Sequence, residues 1–90
     1  MKKAVITVIG KDRVGIIHQV SGILSKSNVN ILDISQTIMT EIFTMVMMVD
    51  VSASQIPFGE FSEELEEKGV DLGVKITICH EDIFNSMHRI

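Results

Sequence analysis

The chain has no tryptophan and no tyrosine, and only four phenylalanines. Stacking platforms for bases are therefore scarce. A sheet-based RNA reader needs aromatics on its central strands, and the stretch FTMVMMVDV (Phe43 to Val51) offers a single one at its end. Basic runs are missing too: eight Lys and Arg stand against twelve Asp and Glu, a net charge of −4. Direct nucleic-acid binding draws most of its affinity from cations on phosphate, so no nucleic-acid partner is expected. The single cysteine, Cys79, excludes an internal disulfide and any two-cysteine redox or metal motif. It lies in an alternating run (Val74 to Cys79) and reads as a small strand residue in a reducing compartment. No apolar stretch approaches the ~20 residues that span a bilayer, and nothing resembles a signal peptide. The expectation is a soluble, cytoplasmic protein with no membrane partner.

What the chain has is apolar content, 46% of its 90 residues. That length predicts one domain over 1–90. About 60–70% of its unfolded surface is buried on folding, which leaves little stability to spare and favours association with another copy.

Ala4 to Ile9 is β-branched and apolar on both faces except at Thr7, as in a central strand. From Val14 to Ser27 the period becomes helical, with Ile16, Ile17, Val20, Ile23 and Leu24 on one face and His18, Gln19, Ser25 and Lys26 on the other. Asp12 precedes this helix as a candidate N-cap, and Asn28 follows it as a candidate left-handed C-cap. In Ile31 to Met39, Asp33, Ser35 and Thr37 alternate with Leu32, Ile34 and Ile38, which predicts a half-buried strand. A break at Thr40-Glu41, short enough for a hairpin, leads into the Met-rich strand Phe43 to Val51. The passage SASQIPFGEF holds the only proline and opens a second helix, Pro57 to Lys68, with Phe58, Phe61 and Leu65 inward; Gly69 is expected to stop it. Val74 to Cys79 is the last strand, and 81–90 form a short helical tail striped with Ile83, Phe84, Met87 and Ile90.

Strand, helix, strand, strand, helix, strand specifies an α+β, ferredoxin-like βαββαβ sandwich: a four-stranded antiparallel sheet with two helices on one face. The crossover rule is taken to place the first and last strands centrally and the second at an edge. One sheet face is then uncovered and carries apolar residues that a 90-residue monomer should not leave wet. The second strand is a nine-residue edge free of proline and lysine, which invites pairing with another copy. A homodimer is expected.

Catalysis finds no support. The three histidines do not cluster: His18 is on an exposed helix face, His80 ends the last strand and His88 is in the tail. His80, Glu81, Asp82 and His88 lack the local spacing of a zinc set, so no metal and no cofactor are predicted. No nucleophile–base pair can be argued. A Walker A loop fails because Ile16-Ile17, not Lys-Ser/Thr, follows the second glycine of GKDRVG. An acylphosphatase-like cradle would use Arg13, but the loop lacks the small residues that wrap an anion. Met45, Met47 and Met48, with Met39 nearby, read as core or dimer packing.

One candidate site is left. GKDRVG brackets Lys11, Asp12, Arg13 and Val14 between two glycines at a helix N-terminus, where free N–H groups and the dipole suit a carboxylate. Asn28 and Asn30 lie at the other corner of the same unit. Asn amides both donate and accept, matching the two ends of a zwitterion. Asp12, Gly10 and Gly15 also have plain roles as cap and turn residues, as have Asn28 (C-cap) and Asn30 (strand entry). Arg13 has none.

At this point VITVIGKDRVGIIHQVSGILSKSNVNILDISQT resembles the first half of an ACT domain: strand, D-R-x-G-I loop, helix, N-V-N-I, strand. The likeness is specific over Val5 to Thr37 and weaker over Phe43 to Cys79. It is similar to the small stand-alone ACT proteins of bacteria and to the ACT halves of the glycine cleavage system repressor. The resemblance implies a non-catalytic regulatory module that binds an amino acid or similar metabolite at the interface of paired domains. Asp12, Arg13, Val14, Gly15, Asn28 and Asn30 are its implied ligand-binding residues. Many relatives have proline where this chain has Val14, and proline would pre-set the first helical turn. With no effector domain expected beside the ACT unit, the regulated target is expected to be a separate protein. The alternative is a structural interaction module that assembles without a ligand.

Overall fold

Six elements follow in the expected order: β1 (Lys3–Gly10), α1 (Ile16–Lys26), β2 (Asn30–Met39), β3 (Ile42–Asp50), α2 (Phe58–Leu72) and β4 (Lys75–His80). The computed structural model describes residues 2–11 and 15–83. The tail stripe residues Phe84, Met87 and Ile90 lie outside that range, while Glu81 to Ile83 continue from β4 as helix.

The strands form one antiparallel sheet in the order β2-β3-β1-β4. β1 and β3 are therefore central, and β4 is an edge, which corrects the expectation that the last strand is central. The reason is topological. The hairpin seats β3 beside β2, inside the first βαβ unit and against β1. The right-handed crossover through α2 must then pass over β1 to its free side.

Register assigns the faces, since paired residues share a face and successive ones alternate. Ala4, Ile6 and Val8 pair with Val49, Met47 and Met45. Together with Ile16, Val20, Ile23 and Leu24 of α1 and Phe61 and Leu65 of α2, they make the core. Met45 and Met47 are fully buried there. The other face carries Val5, Thr7 and Ile9 of β1 beside Met48, Val46 and Thr44 of β3. Val5 is only 2% exposed because Met48 and Cys79 flank it in the register. The molecule is 19 Å through its thinnest dimension, one sheet and one helix layer, and among the described residues no element covers the far face.

Three expectations about burial change. Ile17 is 37% exposed although it follows the apolar period of α1. β2 is not half-buried: Leu32 to Met39 are exposed on both faces, with Ile38 at 52% and Met39 at 69%. As an edge strand it extends beyond the cover of the helices, and a bulge between Ile31 and Asp33 breaks its register. Gly69 does not stop α2, which runs to Leu72. It is a buried helical residue where a Cβ would stand 2.9 Å from the Val74 carbonyl oxygen, so it permits helix and strand to approach.

Both helices end in the same way. Asn28 has φ 58°, its N–H donates to Ser25 O at 3.2 Å, and Val29 N–H donates to Leu24 O at 2.9 Å. Gly73 has φ 75°, with Gly73 N–H to Val70 O at 3.2 Å and Val74 N–H to Gly69 O at 2.9 Å. Each pair is a Schellman closure, which needs one residue in the left-handed region. The predicted C-cap role of Asn28 is thus realised one position beyond the cap, which is Ser27.

Candidate functional site

Of the six residues singled out in the sequence, Gly15, Asn28 and Asn30 are described; Asp12, Arg13 and Val14 lie outside the described residues. The N-cap of α1 is Gly15, at φ 77°, with no side-chain cap. The N-cap position expected of Asp12 is thus held by Gly15, in the left-handed region, while Asp12 itself lies outside the described residues. Among the described residues, Gln19 N–H is the first to bond back, to Gly15 O at 2.9 Å. The N–H groups of Ile16, Ile17 and His18 precede that bond and have no intrahelical acceptor.

Asn28 and Asn30 are both exposed, the first past the end of α1 and the second opening β2. Val29 between them is 6% exposed and packs into the core, so the two amides are turned out on either side of a buried anchor. Ser27 beside them is 3% exposed, and its Oγ finds no hydrogen-bond partner. Sequence reading missed that buried hydroxyl, because a serine after a helix ordinarily reads as solvated.

One chain does not bring the two parts together. Asn30 pairs with Asp50, which pairs with Lys3, at one end of the sheet. Gly10, which leads into the loop, pairs with Phe43 and so with Ile38 at the other end. Seven steps along β1, from Lys3 to Gly10, separate those rows, about 23 Å at strand rise. The helix α1 spans the same interval, with Gly15 at its start and Asn28 at its finish. Between the two corners, along the free edge, run the exposed side chains Leu32, Ile34 and Ile38.

The electrostatics near Asn30 are quiet. Asp50 accepts from Ser52 twice, from N–H at 2.9 Å and from Oγ–H at 2.6 Å, and Lys2 N–H donates to Ser52 Oγ at 2.7 Å. Those Ser52 hydrogen bonds, the side-chain one foremost, hold the Asp50 carboxyl below its ordinary value. On the open face, partial burial pushes the Cys79 thiol up. Among the described residues no group of three or more His, Cys, Asp or Glu stands together to hold a metal. Nor is any described helix long and apolar enough to cross a membrane.

This geometry matches a known kind of domain. The ACT domain family model covers residues 2–78. The chain belongs to the ACT domain family. It is 60% identical over 88 residues to a UPF0237 protein of Clostridium acetobutylicum, with 98% of this chain and 99% of that one covered. The ACT domain protein from Streptococcus pneumoniae superposes with a TM-score of 0.81 at 44% identity, covering 92% of this chain and 93% of that one. A protein described as a glycine cleavage system transcriptional repressor is similar to this ACT domain in fold alone: TM-score 0.72, 23% identity, 88% of this chain against 45% of that one. The resemblance read from the D-R-x-G-I and N-V-N-I segments thus extends across both halves of the domain.

Proposed function

We propose that this ACT domain is a non-catalytic regulatory module that works as a homodimer and binds an amino acid, or a zwitterion of that size, between two copies. The loop Asp12, Arg13, Val14 and Gly15 of one copy faces Asn28 and Asn30 of the other. A separate protein receives the signal, in a reducing cytoplasm that suits the free Cys79 thiol.

The observation that carries this reading is the separation of Gly15 from Asn30 by the length of an exposed apolar edge. A two-fold axis pairing β2 against β2 antiparallel extends the sheet to eight strands. It also sets the loop end of each copy beside the Asn30 end of the other. The same contact covers Leu32, Ile34 and Ile38, which a lone domain leaves in water. One arrangement therefore completes the site and buries the edge. Carboxylate recognition then falls to the free N–H groups at the start of α1, and ammonium recognition to the amide oxygens.

The test pairs a thermal-shift screen of the twenty amino acids with light scattering. One ligand at 100 times its dissociation constant should add about 2.7 kcal/mol of stability. Asn30→Ala should abolish that gain, and Ile38→Lys should yield monomers that no longer respond. Gly15→Ala should weaken binding while adding only local strain, since a Cβ there meets nothing within 4 Å. A monomeric mass, or no ligand effect at millimolar concentration, overturns the reading. A dimer that recovers a stoichiometric protein partner regardless of amino acids and of Asn30→Ala would make it a ligand-free interaction module instead.

A further inference from the structure

The fold contains a second loop of the same topological kind. Residues 51–57 lead from the carboxyl end of central strand β3 into α2, as residues 11–15 lead from central strand β1 into α1. Because β1 and β3 are antiparallel, the two loops lie at opposite ends of the sheet. At the second loop the structure holds a cleft of about 340 Å³, whose walls include Lys2, Ser52, Gln55, Phe58, Phe61 and His80. That volume falls at the small end of ligand pockets.

Three properties of the lining define what it accepts. First, two of its lining residues form an aromatic pair: the rings of Phe58 and His80 stack on each other with centroids 4.1 Å apart and planes 18° from parallel, which leaves their edges and outer faces to a ligand. Phe61, 1% exposed, continues that apolar surface into the core. Second, the lining includes a basic residue and no acidic one among those described. Lys2 is that residue, in a protein whose net charge is −4. Glu81 and Asp82 lie around the corner, where they share Lys2 and His80 in an adjoining depression. Third, the wall is set by hydrogen bonds before anything arrives. Lys2 N–H on Ser52 Oγ and the two Ser52 bonds to Asp50 fix the turn that carries Lys2 to the rim.

We infer that this cleft is a second small-molecule site, selective for a flat aromatic or heteroaromatic carboxylate of one or two rings. The ring packs against the Phe58–His80 pair, edge to face or on an outer ring face, where a π-face is favoured over a saturated ring of the same size. The carboxylate meets Lys2 at the rim, and the Gln55 amide is at hand for a ring substituent. Every residue named comes from one chain, so the site is complete in a monomer and independent of the amino-acid site between copies.

The test titrates benzoate and indole-3-acetate into the full ¹⁵N-labelled chain and follows backbone amide shifts, with cyclohexanecarboxylate and benzamide as probes lacking the π-face and the charge. Saturable shifts at Ser52 to Phe58 and at His80 are expected, with indole-3-acetate binding in the millimolar range or tighter, about −4 kcal/mol or better. The saturated acid and the neutral amide should each bind about tenfold more weakly. Lys2→Gln, at an exposed position, should weaken indole-3-acetate several-fold without altering the fold, and Phe58→Leu should erase its advantage over cyclohexanecarboxylate. Absence of saturable shifts up to about 10 mM overturns the inference. So do equal affinities for ring and saturated acids, an unchanged affinity in Lys2→Gln, or shifts confined to Gly15 and Asn28 to Asn30. That last pattern would assign the ligand to the site between copies. Failure of dimerisation leaves the cleft titration unaffected, so the two readings fail separately.

Discussion

Gly10 closes β1 directly against Val74: a Cβ built on Gly10 would stand 3.0 Å from Cβ of Val74 and nearer still to its Cγ1. The sequence reads Gly10 as half of a turn, but its φ is not in the left-handed region, so what it supplies is space, where the chain entering β4 crosses the end of β1. Gly10→Ala should therefore lower stability by about 1–3 kcal/mol through overpacking. Gly22 lies in the exposed face of α1 with nothing within 4 Å of a built Cβ. Gly22→Ala should raise stability by about 0.5–1 kcal/mol. Urea unfolding of both variants checks the pair, and equal effects would remove the distinction.

The left-handed residues that end the two helices give a second comparison. Asn28→Gly should be neutral within a few tenths of a kcal/mol, since glycine adopts φ 58° freely. Asn28→Ala should cost about 1 kcal/mol, as should Gly73→Ala at φ 75°. If Asn28→Ala were silent in thermal unfolding, the Schellman closure at α1 would contribute nothing to stability.

Ser27 Oγ is buried without a partner. A buried hydroxyl that gives up water for nothing costs about 1–3 kcal/mol. Ser27→Ala should accordingly stabilise the domain by about 1 kcal/mol, visible as a higher thermal midpoint. A loss of stability would mean that the hydroxyl has a partner in solution, and the neighbouring Asn28–Asn30 corner is where to look for it.

The acid limb of stability tests the Ser52–Asp50 contact. Asp50 titrates below its ordinary 3.8 in the folded chain. A depressed carboxyl holds fewer protons folded than unfolded, so its contribution is complete above the unfolded value and is lost as pH falls through the folded one. Ser52→Ala removes both Oγ hydrogen bonds, the Lys2 one included, and should lower stability at neutral pH, where the Asp50 contribution is complete, and flatten the stability–pH curve below about pH 4, so that the deficit shrinks in acid. Identical acid limbs in the two proteins would show that Ser52 does not hold the charge.

The βαββαβ order was legible because each period is plain: β-branched runs for β1 and β4, Ile16, Val20, Ile23 and Leu24 for α1, Phe61 and Leu65 for α2. Strand order was not, because hydrophobic patterning says how deep a strand lies but not which neighbour it has. The short, alternating β4 reads much like a central strand until the crossover over β1 is traced. β2 misled in the opposite sense. Its alternation of Leu32, Ile34 and Ile38 with Asp33, Ser35 and Thr37 looks like one buried face, yet both faces are open, because alternation records what a strand is meant to bury and not who buries it. Of the candidate site, Asn28 and Asn30 were proposed from residue chemistry and family likeness, whereas the Phe58–His80 stack joins residues 22 positions apart. No local pattern could have paired them.

The distance between Gly15 and Asn30 has a final consequence for the proposed dimer. A site divided between opposite ends of one chain does not exist until two chains meet. Below the dimer's dissociation constant, a tenfold fall in protein lowers the number of complete sites by about a hundredfold through mass action. Response to the metabolite would then depend on how much of the protein the cell has made, and expression level would act as a second input beside the ligand.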